Sequence, residues 1–592
     1  MSIFDALQKA TVKALEELFN QPFTENEFQV NITRPEFTGD YTVVLFSLLK
    51  KTGMSPDKLG NMLGEKLVER NPALFTSYNI IKGFLNLEIS DRYWIEVLEK
   101  NYNNNCFGTH EPNGKKVMVE YSSPNTNKPL HLGHLRNNFL GWSVAEILKA
   151  NGYEVYKSCI VNDRGIHICK SMIAWQLFGN GETPESAGVK GDHFVGNYYV
   201  KFSDEHKKQV KELVAGGMKE ADAEKEAPLM KQAQEMLRAW EAGDKNVIDL
   251  WKKMNEWVYE GFDITYNRTG TDFDKKYYES NTYLLGKDIV QQGLEKGVFY
   301  KKEDGSVWID LTADGLDEKL VLRKDGTSVY ITQDIGLAIQ KYEEFGIDES
   351  IYVIADEQNY HMKVLKLICQ KLGLPFADDI HHLSYGMVEL PSGRMKSREG
   401  TVVDADDLVE EMVATARKHT EELGKVSDFR EDELATLYET LGLGAMKFYL
   451  LRVDPKKKMV FNPEESIEFH GFTGPFIQYT HARIKSVLRK EALPESDESA
   501  TSPLLKPEKD LLTLIEQYPA VIAQAGKEHD PSVMANYLFQ LAKTFNSFYS
   551  ELSIAGAESA EKKLLRLRLS VITANVIRHG MKLLGIGVPE RM

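Results

Sequence analysis

The fold of this chain is decided by the stretch Ser122-Ser123-Pro124-Asn125-Thr126-Asn127-Lys128-Pro129-Leu130-His131-Leu132-Gly133-His134. It follows a β-rich run at residues 116–121 and precedes a helical pattern at residues 133–150. Asn151 and Gly152 end that helix, and a second β-rich run at residues 153–161 comes next. The region therefore predicts one βαβ unit of a parallel sheet.

This stretch also predicts a phosphate-binding site, because ligands of parallel sheets bind between a strand end and a helix start. A helix start offers free N–H groups and partial positive charge, and Gly133 lets the backbone and an adenine ring approach closely. His131 and His134 are donors to phosphate oxygens. The alternatives are incidental loop histidines or a metal-binding pair, since a bare HxGH motif also matches by chance.

A basic loop bracketed by glycines, residues 393–400, is the second motif. Such a loop closes over a bound nucleotide and places Arg394, Lys396 or Arg398 against phosphate charge. A solvated charged turn is the alternative for this loop taken alone.

Together the two motifs resemble the two signatures of class I aminoacyl-tRNA synthetases, and further segments resemble the arginyl-tRNA synthetase family. These segments are Glu120-Tyr121-Ser122-Ser123-Pro124-Asn125, Tyr330-Ile331-Thr332-Gln333-Asp334-Ile335, Glu357-Gln358-Asn359-Tyr360-His361, Thr473-Gly474-Pro475-Phe476-Ile477-Gln478-Tyr479-Thr480-His481-Ala482-Arg483 and Val588-Pro589-Glu590-Arg591-Met592. They extend in the family's order to the last residue.

The resemblance implies an arginine site formed by Glu120, Asn125, Tyr330, Asp334 and Gln358. The guanidinium group presents a planar fork of hydrogen-bond donors that suits the carboxylate of Asp334, and Tyr330 offers an aromatic surface. Glu120 or Asn125 addresses the α-amino group, and which carboxylate meets which end of arginine stays open. The alternative is that Asp334 caps a helix and Glu120 is a surface charge at a strand end.

The resemblance also implies an ATP site formed by Ser123, His131, Gly133, His134, Arg394, Met395, Lys396 and Ser397. The loop departs from the class pattern Lys-Met-Ser-Lys-Ser, because serine stands where the second lysine is usual. In arginyl enzymes without that lysine, a lysine just before HxGH is thought to substitute, and Lys128 occupies that place. We therefore expect His131, His134, Lys128, Lys396 and Arg398 to be the catalytic residues, with Mg²⁺ accompanying ATP.

The chain of 592 residues predicts several domains. The expected order is an N-terminal α/β module that contacts tRNA (1–105), a Rossmann-type catalytic domain (111–455) with a helical insertion at about 180–257, and an all-α anticodon-binding domain (456–592). Further strand signals occur at residues 307–311, 328–331, 351–354 and 382–390.

The net charge of −16 argues against a protein that coats nucleic acid through bulk positive charge. From residue 456 onward, 18 Lys and Arg stand against 16 Asp and Glu, so this part is +2 and the preceding part is −18. Contacts to tRNA must therefore come from local patches. The family resemblance implies contacts from Phe84, Asn86, Gln478, Tyr479, Arg483 and Met592. The alternative to a tRNA contact by Phe84 is a role in the hydrophobic core. The same alternative holds for Tyr537 and Phe545 of the C-terminal part.

These observations predict an arginine–tRNA ligase that uses ATP, L-arginine and tRNA(Arg). The chain has no apolar run of membrane-spanning length and no N-terminal signal pattern, so we expect a soluble, cytoplasmic protein, and by family resemblance a monomer. The four cysteines form no CxxC pair and predict no zinc site, which disfavours a cysteinyl-type synthetase. A small-molecule nucleotidyltransferase and a catalytically silent RNA-binding relative are two further competing hypotheses.

Overall fold

The computed structural model describes residues 2–34, 36–391, 403–422, 424, 428–491, 493 and 503–592. The basic loop at 393–400 lies outside these residues, and with it the predicted positions Arg394, Met395, Lys396, Ser397 and Arg398.

The N-terminal module is an antiparallel sheet covered by helices. Its elements are α1 (Ile3–Phe19), β1 (Gln29–Ile32), β2 (Tyr41–Val44), α2 (Phe46–Thr52), α3 (Pro56–Arg70), β3 (Phe75–Ile81), β4 (Phe84–Ile89) and α4 (Asp91–Asn101). The strand order is β1-β2-β4-β3. Leu85, Leu87 and Ile89 of β4 are fully buried, as the alternation in the sequence predicts.

Ten strands follow in the rest of the described chain. They are β5 (Lys116–Glu120), β6 (Glu154–Val161), β7 (Lys275–Tyr278), β8 (Tyr300–Lys301), β9 (Val307–Ile309), β10 (Lys319–Leu322), β11 (Glu349–Ala355), β12 (Ile380–Tyr385), β13 (Val388–Glu389) and β14 (Met459–Val460). The central sheet is entirely parallel in the order β12-β11-β5-β6-β7. The predicted parallel sheet is therefore confirmed.

Helices flank this sheet and form the end of the chain. Up to residue 451 they are α5 (Leu132–Ala150), α6 (Ile166–Phe178), α7 (Pro184–Ala187), α8 (Gly191–Ala215), α9 (Glu220–Glu226), α10 (Pro228–Glu241), α11 (Lys245–Thr269), α12 (Glu279–Thr282), α13 (Lys287–Glu295), α14 (Tyr330–Phe345), α15 (Asn359–Leu372), α16 (Ala405–Glu422) and α17 (Glu431–Leu451). The C-terminal helices are α18 (Pro463–Ser466), α19 (Gly474–Lys490), α20 (Lys506–Glu528), α21 (Pro531–Glu551) and α22 (Ala560–Leu583). The predicted helical C-terminal part is confirmed.

Two strand predictions need correction. Residues 328–331 do not form a strand, because α14 begins at Tyr330 after an extended cap at Val329. The β-branched residues that suggested a strand pack instead as the first turn of this helix, with the Thr332 hydroxyl bonded to the carbonyl of Val321. The strand near 307 exists as β9, but it belongs to a separate antiparallel sheet, β10-β9-β8. No helix in the described part of the chain has the length and apolarity needed to cross a membrane.

Candidate active site

A strained turn at Ser122 carries the chain from β5 into the candidate site. Ser122 has a φ of 58°, in the left-handed region that a non-glycine residue rarely adopts. Its N–H donates to Asn137 Oδ1 (2.6 Å), its hydroxyl bonds the Tyr266 hydroxyl (2.7 Å), and its carbonyl accepts from the Cys159 thiol (2.6 Å). These three bonds hold the turn in place and aim the following loop across the end of the sheet.

The HxGH motif forms the first turn of α5, as the sequence predicts. His131 Nδ1 accepts from the Gly133 N–H (3.1 Å), and His134 Nδ1 accepts from the His131 N–H (3.2 Å). The two rings lie 3.9 Å apart between centroids. A Cβ added at Gly133 would lie 3.0 Å from His131 Cε1. Glycine is therefore needed here to let the His131 ring fold back over the helix start, which adds to the reason expected from the sequence.

The electrostatics of this turn make both imidazoles neutral hydrogen-bond donors. Burial, with the charge of Lys128 adding to it, lowers the pKa of His131 to about 3. Burial, then His131 and Lys128, lower the pKa of His134 well below its ordinary value. Because each Nδ1 accepts a backbone N–H, each neutral ring carries its proton on Nε2. The turn thus presents two Nε2–H donors beside the ammonium of Lys128, whose own pKa burial lowers.

A cavity of 220 Å³ opens beside this turn. It is lined by Lys128, Pro129, Leu130, His131, His193, Gly196, Asn197, Tyr199, Val200 and Asp404. The Leu132 N–H donates to the carbonyl of Val403 (3.2 Å), so Val403, three residues after the basic loop, is held against the HxGH turn. Among the described residues, the His, Cys, Asp and Glu clusters with metal-ligand spacing contain neither His131 nor His134. That disfavours a metal-binding role for the histidine pair.

The floor of the cavity is fixed by an ion network. His193 Nε2 lies 3.1 Å from Asp406 Oδ2 and 3.3 Å from Asp404 Oδ2, and Lys190 also contacts Asp406. Burial raises the pKa of Asp406, but hydrogen bonds from His193 and Lys190 outweigh it and hold that pKa well below its usual range. The hydrogen bond to Asp406 in turn raises the pKa of His193. This network ties α8 to the start of α16.

An acidic pocket lies on the other side of β5. Asp334 in the first turns of α14 binds His361 Nε2 through Oδ2 (2.6 Å), and this hydrogen bond raises the pKa of His361. Glu120, at the end of β5, is buried and pairs with Lys341 of α14. Burial raises the pKa of Tyr352 far above its ordinary value, and the charges of Glu120 and Asp334 both add to the rise. The two predicted arginine-binding carboxylates therefore both influence the pKa of the same buried hydroxyl.

Glu279 is a pocket residue that the sequence analysis missed. Burial raises its pKa to about 7, Arg164 opposes the rise, and Asp163 and Asp334 add to it. The Arg164 guanidinium stacks 4.0 Å from the centre of the Tyr283 ring. A half-buried carboxyl facing two other carboxylates is a site for a cation. The one signal in the sequence was its place directly after a strand of the parallel sheet.

The remaining predicted arginine-site residues, and Ser123 of the predicted ATP site, lie on loops and at a helix start. Asn125 forms a backbone bridge with Asn162 across the end of the sheet. Gln358 ends a short 3₁₀ turn directly after β11. Tyr330 is 72 % exposed at the start of α14, one turn before Asp334. Ser123 is exposed in the loop after the Ser122 turn.

The residues predicted to contact tRNA fall into different environments. Phe84 and Asn86 line a cavity of 420 Å³ together with Asn31, Ile32, Arg34, Phe37, Thr42, Ile81 and Lys82. The side chain of Asn86 is nevertheless buried, with Oδ1 accepting from the Thr42 hydroxyl (2.6 Å) and Nδ2 donating to Asn79 Oδ1 (2.9 Å), so the predicted contact of Asn86 with tRNA needs correction. Tyr479 is half-buried with the Arg483 guanidinium 4.8 Å from the centre of its ring. Met592 packs partly buried against the core. Tyr537 and Phe545 are buried, which favours a core role for both.

The prediction for Gln478 is wrong. Its side chain is fully buried, and Nε2 donates to the carbonyls of Thr440 (3.0 Å) and Gly587 (2.7 Å). A side chain enclosed in this way cannot present an edge to RNA. It connects α19 to the C-terminal segment instead.

A parallel sheet with an HxGH helix at its carboxyl edge, followed by a helical C-terminal part, defines a class I aminoacyl-tRNA synthetase fold. The family model described as "tRNA synthetases class I (R), catalytic domain" matches residues 96–462. The models for the arginyl-tRNA synthetase N-terminal domain and the DALR anticodon-binding domain match residues 5–89 and 477–592. The chain belongs to the arginine–tRNA ligase family.

Curated relatives match over the full length of both chains. The arginine–tRNA ligase of Flavobacterium psychrophilum is 54 % identical and that of Bacteroides fragilis 52 %, each with 100 % of both chains covered. Among solved structures, arginyl-tRNA synthetase of Thermus thermophilus matches with a TM-score of 0.80 and 24 % identity over 99 % of this chain and 100 % of that one. The enzyme of Plasmodium falciparum matches with a TM-score of 0.78 and 19 % identity, covering 100 % and 99 %. These two structural matches establish the fold.

Proposed function

We propose that this chain activates L-arginine with ATP, releases pyrophosphate, and transfers the arginyl group to the 3′ end of tRNA(Arg). The observation that carries the proposal is a pair of carboxylates held by protein partners, Glu120 by Lys341 and Asp334 by His361, in a chain whose HxGH helix start carries two imidazole donors. Glu279, whose pKa is raised, adds a third acidic group. An acidic pocket suits the guanidinium and α-amino groups of arginine, and the helix start suits phosphate.

The arginine carboxylate attacks the α-phosphorus of ATP, and pyrophosphate leaves. The terminal ribose of tRNA then attacks the carbonyl of the adenylate, and AMP leaves. Since the substrates supply both nucleophiles, catalysis comes from alignment and from charge placed around the phosphates. The Nε2–H groups of His131 and His134 donate to phosphate oxygens, and Lys128 supplies positive charge. Ser123 and Gly133 complete this side of the ATP site.

Three further residues belong to the proposed arginine site. Tyr330 offers its ring to the guanidinium, and Asn125 and Gln358 border the pocket from the ends of neighbouring strands. Glu279 joins the site as the third carboxylate. A site built to satisfy guanidinium donors rejects ligands that leave its carboxylates unpaired.

The basic loop completes the proposal on the ATP side. Arg394, Met395, Lys396 and Ser397 are expected to contact ATP, and Arg398 to share the phosphate charge with Lys396. Mg²⁺ is expected to arrive with ATP and to neutralise phosphate charge when bound, so no dedicated protein site for it is needed.

For tRNA we propose three regions, residues 1–105, 111–455 and 456–592, acting as elbow-contacting module, catalytic domain and anticodon-binding domain. Phe84 borders a cavity large enough for a base. Tyr479 and Arg483 form a stacked pair of the kind that holds unpaired bases, and Met592 ends the C-terminal segment that resembles the family. We further propose a cytoplasmic monomer.

Exchange of labelled pyrophosphate into ATP, measured with each amino acid and with or without total tRNA, tests the function. We expect exchange with arginine and poor exchange with lysine, whose ammonium leaves guanidinium acceptors unpaired. Exchange with lysine as efficient as with arginine would overturn the assignment of the pocket. Exchange with no amino acid, together with adenylyl transfer to a small molecule, would favour a small-molecule nucleotidyltransferase.

A further inference from the structure

A buried ion pair lies directly behind the acidic pocket. Lys341 of α14 donates to Glu120 Oε2, and the exposed fractions of the two side chains are 1 % and 8 %. Lys341 follows Asp334 by seven residues, which places both on the same face of α14 two turns apart. One helix thus carries a pocket carboxylate and the cation that holds the other.

Aromatic rings enclose the pair. Lys341 Nζ lies 4.6 Å from the ring centre of Tyr352 and 5.7 Å from that of Tyr277. The charge of Glu120 adds to the burial that raises the pKa of Cys159 on β6 and of Tyr277 on β7. Cys159 and Tyr277, the neighbours of Glu120 on β6 and β7, are therefore protonated and neutral. Within the described residues, Lys341 is the cation paired with this carboxylate.

A carboxylate withdrawn from water keeps its charge and its orientation only when a donor or a cation compensates it. Without Lys341, the buried Glu120 carboxylate would lose its compensating cation and the contact that fixes its orientation. A buried ion pair also adds little to stability compared with apolar residues of the same volume. A pair placed at this point is better explained by the carboxylate that it holds.

The two pocket carboxylates share one arrangement. Lys341 forms a hydrogen bond to Oε2 of Glu120, and His361 forms one to Oδ2 of Asp334. In the part of the chain that the structure describes, Glu120 Oε1 accepts no hydrogen bond from protein. Each carboxylate therefore has one oxygen directed by the protein and one that remains for a ligand.

We propose that Lys341 is a positioning residue for arginine binding, holding Glu120 Oε2 so that Oε1 faces a cationic group of the bound amino acid. This inference rests on the function proposed above. Lys341 itself contacts no substrate, so its effect reaches arginine only through Glu120.

The test compares K341M with K157M as a matched control. Lys157 is also a buried lysine of the same domain, 3 % exposed and paired with Glu146 (2.8 Å) and Asp272 (3.0 Å). It lies on β6 beside Val119, but its ammonium packs over the Trp142 ring of α5 and pairs with neither Glu120 nor Asp334. The Michaelis constants for arginine and for ATP are measured by pyrophosphate exchange with total tRNA present. We expect K341M to raise KM for arginine by at least about tenfold, with KM for ATP changed less than about twofold. K157M should keep the KM for arginine of the unmodified protein.

A double variant tests whether Lys341 acts through Glu120. In an E120Q background, K341M should change KM for arginine by less than about twofold, because the carboxylate that it directs is gone. K341Q, with a polar side chain of similar length, replaces K341M in every arm if K341M does not fold. An unchanged KM for arginine in the single variant, a parallel rise in both Michaelis constants, or multiplicative effects in the double variant would each overturn the inference. Failure of the proposed function is distinct, because the unmodified protein would then show no exchange with arginine.

Discussion

The HxGH turn and the acidic pocket lie on two sides of β5 and are built in opposite ways. The HxGH turn is local: residues 131–134 satisfy one another through bonds that span two or three positions. The pocket is assembled from β5, α12, α14 and α15, and its contacts span as many as 221 residues. The first site is therefore fixed by its own short sequence, and the second by the tertiary fold.

The two sites also treat charge differently. In the HxGH turn burial removes the charge from the imidazoles and leaves Lys128 as the cation. In the pocket, Glu120 and Asp334 are held by protein cations, and Glu279 shares their field with a pKa of about 7. In the proposed sites, a phosphate ligand would thus meet mainly neutral donors, whereas arginine would meet carboxylates already oriented by other residues.

Asp334 should give the largest effect, because it is the carboxylate best placed for a guanidinium. We expect D334A to lower kcat/KM for arginine by about a thousandfold or more, since the guanidinium loses a charged hydrogen-bond partner. KM for ATP should stay within about twofold of the original, because the HxGH turn is self-contained. Steady-state pyrophosphate exchange measures both constants.

The control is E343A, which removes an exposed carboxylate from the same helix. It should match the unmodified protein in both constants. A loss of less than tenfold in D334A, or an equal loss in E343A, would remove Asp334 from arginine recognition.

The same difference in construction explains what the sequence predicts and what it does not. The strand ending at Glu120, the helix beginning near Gly133 and their βαβ connection follow from local periodicity, and the structure places the start of α5 one residue earlier, at Leu132. Lys341 and Glu279 belong to no motif and become neighbours of the pocket only through the fold. His361 lay inside a family segment, but nothing local indicated its partner.

One wrong prediction hid a usable signal. If residues 328–331 are taken as a strand, no helix is expected to begin at Tyr330. Asp334 and Lys341 are then not expected to lie on the same face of one helix. The helix α14 places them on one face, and the ion pair to Glu120 follows. The prediction of a tRNA contact by Gln478 is wrong for a related reason, because a motif does not show whether an amide side chain is buried.

Substitution of Lys128 should give the next largest effect, and it tests the HxGH turn, the second of the two sites compared. With both imidazoles neutral, Lys128 supplies the positive charge of the HxGH region in the proposed ATP site. We expect K128M to lower the rate of adenylate formation by about a hundredfold while KM for arginine changes little. K128R keeps the charge and should retain much more activity. Near-normal turnover of K128M in single-turnover adenylate formation would remove Lys128 from the mechanism.

The smallest effect, about tenfold, is a pH dependence confined to the pocket. Glu279 faces Arg164, Asp163 and Asp334, and its pKa of about 7 leaves it largely protonated below neutral pH. The raised pKa of His361 acts in the same direction, because a charged His361 offsets more of the negative charge of Asp334 than a neutral one, which still directs Oδ2 through its Nε2–H. Arginine should therefore bind best when both groups have lost a proton. KM for arginine should therefore fall as the pH rises from about 6 to 8, while KM for ATP should vary little because the imidazoles of the HxGH turn stay neutral throughout.

E279Q separates the two contributions to this pH dependence. The amide is neutral at every pH, so KM for arginine should be raised at pH 8, where Glu279 is ionised, and change little at pH 6, where it is already protonated. The profile of E279Q should accordingly be flatter than that of the unmodified protein, with the remaining slope due to His361. The measurement is KM for arginine by pyrophosphate exchange at several pH values, with E343A as the control for loss of a carboxylate elsewhere. Identical profiles for E279Q and the unmodified protein would show that Glu279 does not contact the cation, and the pocket would then consist of the two carboxylates that the sequence already indicates.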